Sequence, residues 1–132
     1  MLSSPCRLHH LALGSVDPES LAGFYHQAFG LQIERTHRDS NGRVRSIWLS
    51  LGTGRLMIER VDEQEVRLRP RPRTPERPSQ GLFLLAFEVT QTEHPAYDAR
   101  LEELGCVEDG RTAYTSYWRD PEGHRIALSH FE

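Results

Sequence analysis

The chain states one pattern twice, and that repetition limits its folds more than any other feature. Leu8-His9-His10-Leu11-Ala12-Leu13 leads to Asp17-Pro18 and a helix-patterned stretch closing on Gly30. Leu82-Phe83-Leu84-Leu85-Ala86-Phe87-Glu88-Val89 leads to residues 92–95 and a second such stretch closing on Gly105. Each half then passes a Ser-x-Trp segment (Ser46-Ile47-Trp48, Ser116-Tyr117-Trp118), a turn ending in glycine (Gly54, Gly123) and a final apolar strand. Self-similarity at a long period marks a duplicated supersecondary unit. With the halves aligned, His10 stands opposite Leu84 and Glu59 opposite Ala127.

At 132 residues the chain has the size of one ordinary domain and can bury a core. All 16 basic residues are arginine. Without lysine there is no Schiff-base chemistry and no Walker A phosphate loop. A formal charge of −3 gives no whole-surface attraction to nucleic acid. No apolar run approaches the roughly 20 residues of a membrane span, and the first residues lack a signal-peptide pattern, so the expected compartment is the cytoplasm. Cys6 and Cys106 fit no metal or redox spacing and are expected to be reduced and structural.

The pattern predicts a strand over 7–16. Asp17 is a suitable N-cap with Pro18 at the first helical position, Leu21, Phe24, Tyr25, Ala28 and Phe29 share one face, and Gly30 supplies the stop. Strands follow over 31–37, 44–51 and 55–61, with Asn41-Gly42 as a hairpin signal. Residues 63–80 hold four prolines and five arginines and are predicted to link the halves, either as a solvated connection or as a cationic flap. The second half repeats the order: a strand over 82–89, a helix carrying Tyr97, Leu101 and Leu104, and strands near Val107, over 114–119 and over 125–131. The expected organisation is a single α+β domain, with one β-α-β-β-β module over 7–62 and another over 81–132.

His10 in the first strand, Asp17 starting the helix, Phe24-Tyr25 within it and Asp120-Pro121-Glu122-Gly123 before the last strand resemble the vicinal oxygen chelate superfamily. That group includes glyoxalase I, extradiol dioxygenases and the fosfomycin- and bleomycin-resistance proteins. The resemblance covers nearly the whole chain. It implies paired modules whose curved mixed sheets enclose a cleft, often completed by homodimerisation. In enzymatic members a divalent metal sits there as a Lewis acid, held from the first and last strands of each module. On this sequence those places carry His10 and Glu59 in the first module and Leu84 and Ala127 in the second. The latter two have no donor atom, so the implied metal site is incomplete.

Strand alternation places Arg55, Met57 and Glu59 on one face, Ala86 and Glu88 with Leu84, and Arg125 and Ser129 with Ala127. Glu88 is therefore a candidate third ligand, unless it pairs with Arg125. His10 and Glu59 are the candidate catalytic residues, with a metal-free His10–Glu59 pair acting as a general base as one form. Trp48, Met57, Glu88, Tyr114, Trp118 and Arg125 are candidate ligand-binding residues, the tryptophans and Tyr114 serving either as core or as stacking surfaces. His9, by alternation, points away from His10; His124 and His130 are expected to face outward or to lie at an interface, and His26, His37 and His94 to lie on the surface. The favoured function is binding of a small organic ligand without metal. The alternatives are a metal-dependent lyase, isomerase or dioxygenase using His10, Glu59 and Glu88, and a structural dimer without a small ligand. No nucleic-acid or membrane partner is expected.

Overall fold

In each half the first and last strands become neighbours, and everything else is arranged around that pair. The computed structural model describes residues 4–62 and 82–132. The chain divides into two compact units, Met1–Leu68 and Arg69–Glu132. The linker expected over 63–80 lies outside the described residues.

The first unit runs β1 (His10–Ser15), α1 (Pro18–Phe29), β2 (Ile33–Arg38), β3 (Val44–Ser50) and β4 (Arg55–Arg60). Its sheet order is β1-β4-β3-β2. β1 and β4 run parallel, with His10 beside Arg55 and Gly14 beside Glu59, while β3 is antiparallel to both β4 and β2. A parallel pair needs a long connection, and α1, β2 and β3 together supply it. The Asp17 carboxylate accepts from the Ser20 backbone N–H at 3.2 Å, and Pro18 opens the helix where its missing N–H is harmless. Gly30 at φ 70° closes it, its N–H donating to the His26 carbonyl. Leu21, Ala22, Phe24, Tyr25 and Ala28 are buried on α1, and the helix packs on β3 and β4. The opposing sheet face offers Leu13, Ile47, Leu49, Leu56 and Ile58, all buried. Each large apolar side chain so enclosed contributes about 1.5–3 kcal/mol.

The second unit repeats the plan with β5 (Leu85–Glu88), α2 (His94–Glu103), β6 (Val107–Arg111), β7 (Thr115–Arg119) and β8 (Arg125–Ser129), in sheet order β5-β8-β7-β6. The β-α-β-β-β frame is therefore as the sequence predicts in both halves. The opening strands are shorter than predicted, starting at His10 and Leu85 rather than at 7 and 82.

Register changes how the halves correspond. Leu11 pairs with Leu56 and Leu85 pairs with Ile126, so with His10 set against Leu84, Met57 stands level with Ala127 and Glu59 with Ser129. The two matches made from the sequence, His10 with Leu84 and Glu59 with Ala127, therefore differ by two positions along the ladder. Trp48 pairs with Met57, whereas Trp118 pairs with Ile126. The two Ser-x-Trp segments are offset by one residue, and a one-residue offset exchanges the faces of a strand.

The second core is built around a polar chain. His94 is buried, not on the surface as the sequence suggests. Its Nδ1 lies 2.7 Å from His130 Nδ1 and its Nε2 2.9 Å from Ser116 Oγ. Ser116 donates to Asp98 at 2.6 Å and accepts from Trp118 Nε1 at 3.0 Å. His130 thus turns inward, contrary to the outward expectation. It extends past β8 toward α2, where the partner histidine stands at the helix start. Asp120 is also buried; its Oδ1 accepts from the N–H groups of Glu122 and His124, each at 2.9 Å, and Gly123 at φ 90° completes the turn. Burial, helped by the Asp120 charge, pushes the Cys106 thiol up to about 11, so that thiol stays protonated and unreactive near neutrality.

Burial lowers the His94 pKa from its ordinary 6.5; Asp98 opposes the shift, while His130 and Arg111 add to it. The unfolded chain therefore takes up a proton at higher pH than the folded one. The stabilisation is full above about pH 6.5 and is lost as pH falls toward the lowered folded value. Urea unfolding between pH 7.5 and 5 is expected to show this loss, with a slope from this group of at most about 1.4 kcal/mol per pH unit. His94→Gln should flatten that part of the profile; an unchanged slope would remove His94 as its source.

Candidate functional site on the first sheet

With α1 covering one face of the first sheet, the residues of opposite parity form the other: His10 and Ala12 on β1, Arg55, Met57 and Glu59 on β4, Trp48 on β3, and Arg35 and His37 on β2. Trp48 is the centre. The His10 ring stacks over it at 6.5 Å and 19°, and His37 tilts against it at 5.4 Å. The guanidinium carbons of Arg35 and Arg55 stand 5.9 and 5.3 Å from its ring centre. A cation within about 6 Å of an indole face is attracted by the ring quadrupole. Arg55 is also fixed by Glu34 at 2.7 Å.

His9 joins this group, contrary to the alternation argument, because β1 begins only at His10 and strand parity does not govern the residue before it. His9 Nδ1 meets His10 Nδ1 at 2.8 Å, and its ring contacts Trp48 edge-on at 6.5 Å. His9, Glu34 and Arg55 also border an open depression of about 960 Å³, with Arg7, Ser50 and Thr53 on its rim. Its corner is tight: a Cβ on Gly54 would stand 3.3 Å from the Leu8 carbonyl oxygen. Among the described residues, Trp48 Nε1 and His37 Nε2 are buried atoms without a hydrogen-bond partner. An unsatisfied buried polar group costs about 1–3 kcal/mol. The arrangement can therefore present ring and guanidinium planes to a flat group and attract negative charge, while the buried indole N–H is closed to it.

The remaining candidate residues scatter. Glu59 is exposed and lies four residues along the parallel ladder from the level of His10, roughly 13 Å. The structure does not bring His10 and Glu59 together. In the second unit Ala86 pairs with Ala127 and Glu88 with Ser129. Arg125 bonds Asp109 at 3.1 Å and lies over the Tyr117 ring at 4.5 Å, so the Glu88–Arg125 pairing is replaced by an aspartate on β6. Trp118, expected at a ligand site, is 4% exposed and belongs to the core. Tyr114 is half exposed against His130 and Phe131. Sequence reasoning missed Arg35, His37 and His9, and put Arg55 on the face of Met57 and Glu59 without giving it a role at Trp48. Arg35 and His37 are legible only once β2 is paired with β3, since Arg35 lies beside Trp48 and His37 beside Ser46.

The model of the glyoxalase-like domain matches residues 10–129. The chain belongs to this family. Its place in the vicinal oxygen chelate superfamily agrees with the solved structures that share the fold. A mutant of the fosfomycin resistance protein FosX from Listeria monocytogenes, complexed with Mn(II) and 1S,2S-dihydroxypropylphosphonic acid, is 18% identical, with 100% of this chain and 95% of that one covered at a TM-score of 0.72. Lactoylglutathione lyase from Agrobacterium tumefaciens is 20% identical, covering 96% and 95% at 0.61. A possible glyoxalase from Bacillus cereus is 21% identical, covering 92% and 96% at 0.67. No curated protein matches the chain.

Within this glyoxalase-like frame the donor set does not fit a divalent metal. The places carried over from the resemblance hold His10 and Glu59 in the first unit and Leu84 and Ala127 in the second. The last two have no donor atom, and His10 and Glu59 stand four residues apart along the ladder, too far to share one ion. No step through a metal is derived from these residues.

The Glu34–Arg55 pair is about 38% exposed on both sides, and an ion pair of that kind contributes about 0–1 kcal/mol. Glu34→Gln is accordingly expected to change the unfolding free energy by less than about 1 kcal/mol. Chemical denaturation of both proteins checks this; a larger loss would make the pair structural and not part of a surface open to a ligand.

Proposed function

We propose that the protein binds a small, flat organic ligand bearing negative charge on the open face of the first sheet, without a metal. The observation that carries this reading is Trp48, held between two guanidinium groups and three imidazoles while its own N–H lacks a partner. The rings and guanidinium planes supply stacking area, and Arg35 and Arg55 supply charge. Leu84 and Ala127, which lack donor atoms in two of the four implied ligand places, and the separation of His10 from Glu59 support the metal-free form. A homodimer in a cytoplasmic setting belongs to the same proposal. It is supported by the free cysteines and by exposed apolar side chains such as Ile33 and Val107 on the edge strands β2 and β6.

A second reading, a divalent-metal enzyme using His10 with Glu59 or Glu88, is favoured by the retained His10 and by the Mn(II) bound to FosX. Elemental analysis of the protein after reloading with Mn(II), with His10→Ala beside it, separates the two. The metal-free reading expects no stoichiometric ion in either protein; one ion per chain that disappears in the variant would overturn it. A panel of aromatic carboxylates and phosphonates should then raise the melting temperature of the wild type. A ligand held at 100 times its dissociation constant adds about 2.7 kcal/mol. Trp48→Ala should remove that rise.

A further inference from the structure

The buried chain in the second unit ends in a lone pair, and counting protons shows where. Asp98 accepts from Ser116 at Oδ1 and from Arg111 at Oδ2, 3.1 Å away, as an ionised carboxylate does. The single Ser116 hydroxyl proton is therefore committed to Asp98; 2.6 Å is the length of a charge-assisted O–H···O bond. Trp118 Nε1 can only donate to Ser116 Oγ. His94 Nε2 must then be the second donor to that oxygen, which leaves His94 Nδ1 as an acceptor in the neutral ring. His130 Nδ1 consequently carries the proton shared across 2.7 Å. In this tautomer His130 Nε2 holds a lone pair, and no hydrogen bond to it occurs among the described residues. The ring cannot change tautomer without breaking a bond in the chain, so this nitrogen is a fixed acceptor.

His130 borders an open depression of about 840 Å³ in the second unit, with Glu88, Glu93, Tyr114 and Phe131 around it. The Tyr114 ring packs edge-on to both His130, at 5.7 Å, and Phe131, at 5.2 Å. The two rings are 50% and 69% exposed. Among the described residues no arginine borders this depression, in contrast with the one on the first unit. Carboxylates repel an anion, exposed aromatic rings attract an organic cation, and a fixed lone pair needs a donor.

From this juxtaposition we infer that the depression around His130 is a second ligand site, which takes a small organic ammonium as a hydrogen-bond donor to His130 Nε2. The aromatic rings cover the apolar part of the ligand and Glu88 and Glu93 match its charge. The buried chain from His94 to Asp98 is the positioning element that holds the acceptor in one tautomer. This site is separate from that of the proposed function and stands or falls without it.

The test is nitrogen NMR of the histidine side chains in the wild-type protein at pH 8, with benzylamine and then benzoate as probes. The free protein should show His130 as the Nδ1–H tautomer, with Nε2 unprotonated. Benzylamine should move the Nε2 resonance and benzoate should not. Glu88→Gln and Glu93→Gln should each weaken benzylamine binding about two- to fivefold, the range expected when an exposed charge partner is removed. Finding the Nε2–H tautomer, or a mixture of both, would overturn the buried chain as its fixing element. An Nε2 signal indifferent to benzylamine, or moved equally by benzoate, would overturn the site.

Discussion

The parallel pairing of the first and last strand in each unit is the constraint on which the rest depends. It obliges the intervening chain to make a long connection, a helix and two strands, and the helix covers one face of the sheet and leaves the other to different chemistry. It also fixes which residues of the two strands stand at the same level. His10 is beside Arg55 and not Glu59 for this reason alone. The distribution of possible ligand atoms follows from the ladder more than from the identities of the residues.

Much of this frame was legible in the sequence, since capping, turn and periodicity signals are local. Asp17-Pro18, Gly30 and the Asp120 turn act as their chemistry suggests, and the parity that groups Arg55 with Met57 and Glu59 holds in β4. What escaped the sequence was whatever depends on where a strand begins or how it is registered. His9 was assigned by an alternation that starts only one residue later. His94 looked like a surface histidine because α2 has few apolar residues to mark its inner face. Its burial is made possible by Ser116, His130 and Asp98, which come from distant parts of the chain. Arg35 and His37 carried no signal until β2 was laid against β3.

The two units have kept their frame and lost their likeness. Around Trp48 the open face of the first gathers imidazoles and guanidinium groups. In the second, Ala86 and Ala127 lie side by side, and the polar side chains have moved into the core or to the end of the sheet. Family membership accounts for the shared frame. Solved structures at about 20% identity inform the architecture and leave this chain's ligand to its own residues.

The shifted tryptophans have a consequence for how such a duplication is compared with itself. Matching the halves by their most conspicuous words, Ser-x-Trp against Ser-x-Trp, turns one strand inside out and assigns a solvent-side residue the history of a core residue. Hydrogen-bonded neighbours preserve descent more faithfully than shared letters do. By that measure, the inward tryptophan of the second unit answers to Leu49, and the residue that answers to Trp48 is Tyr117.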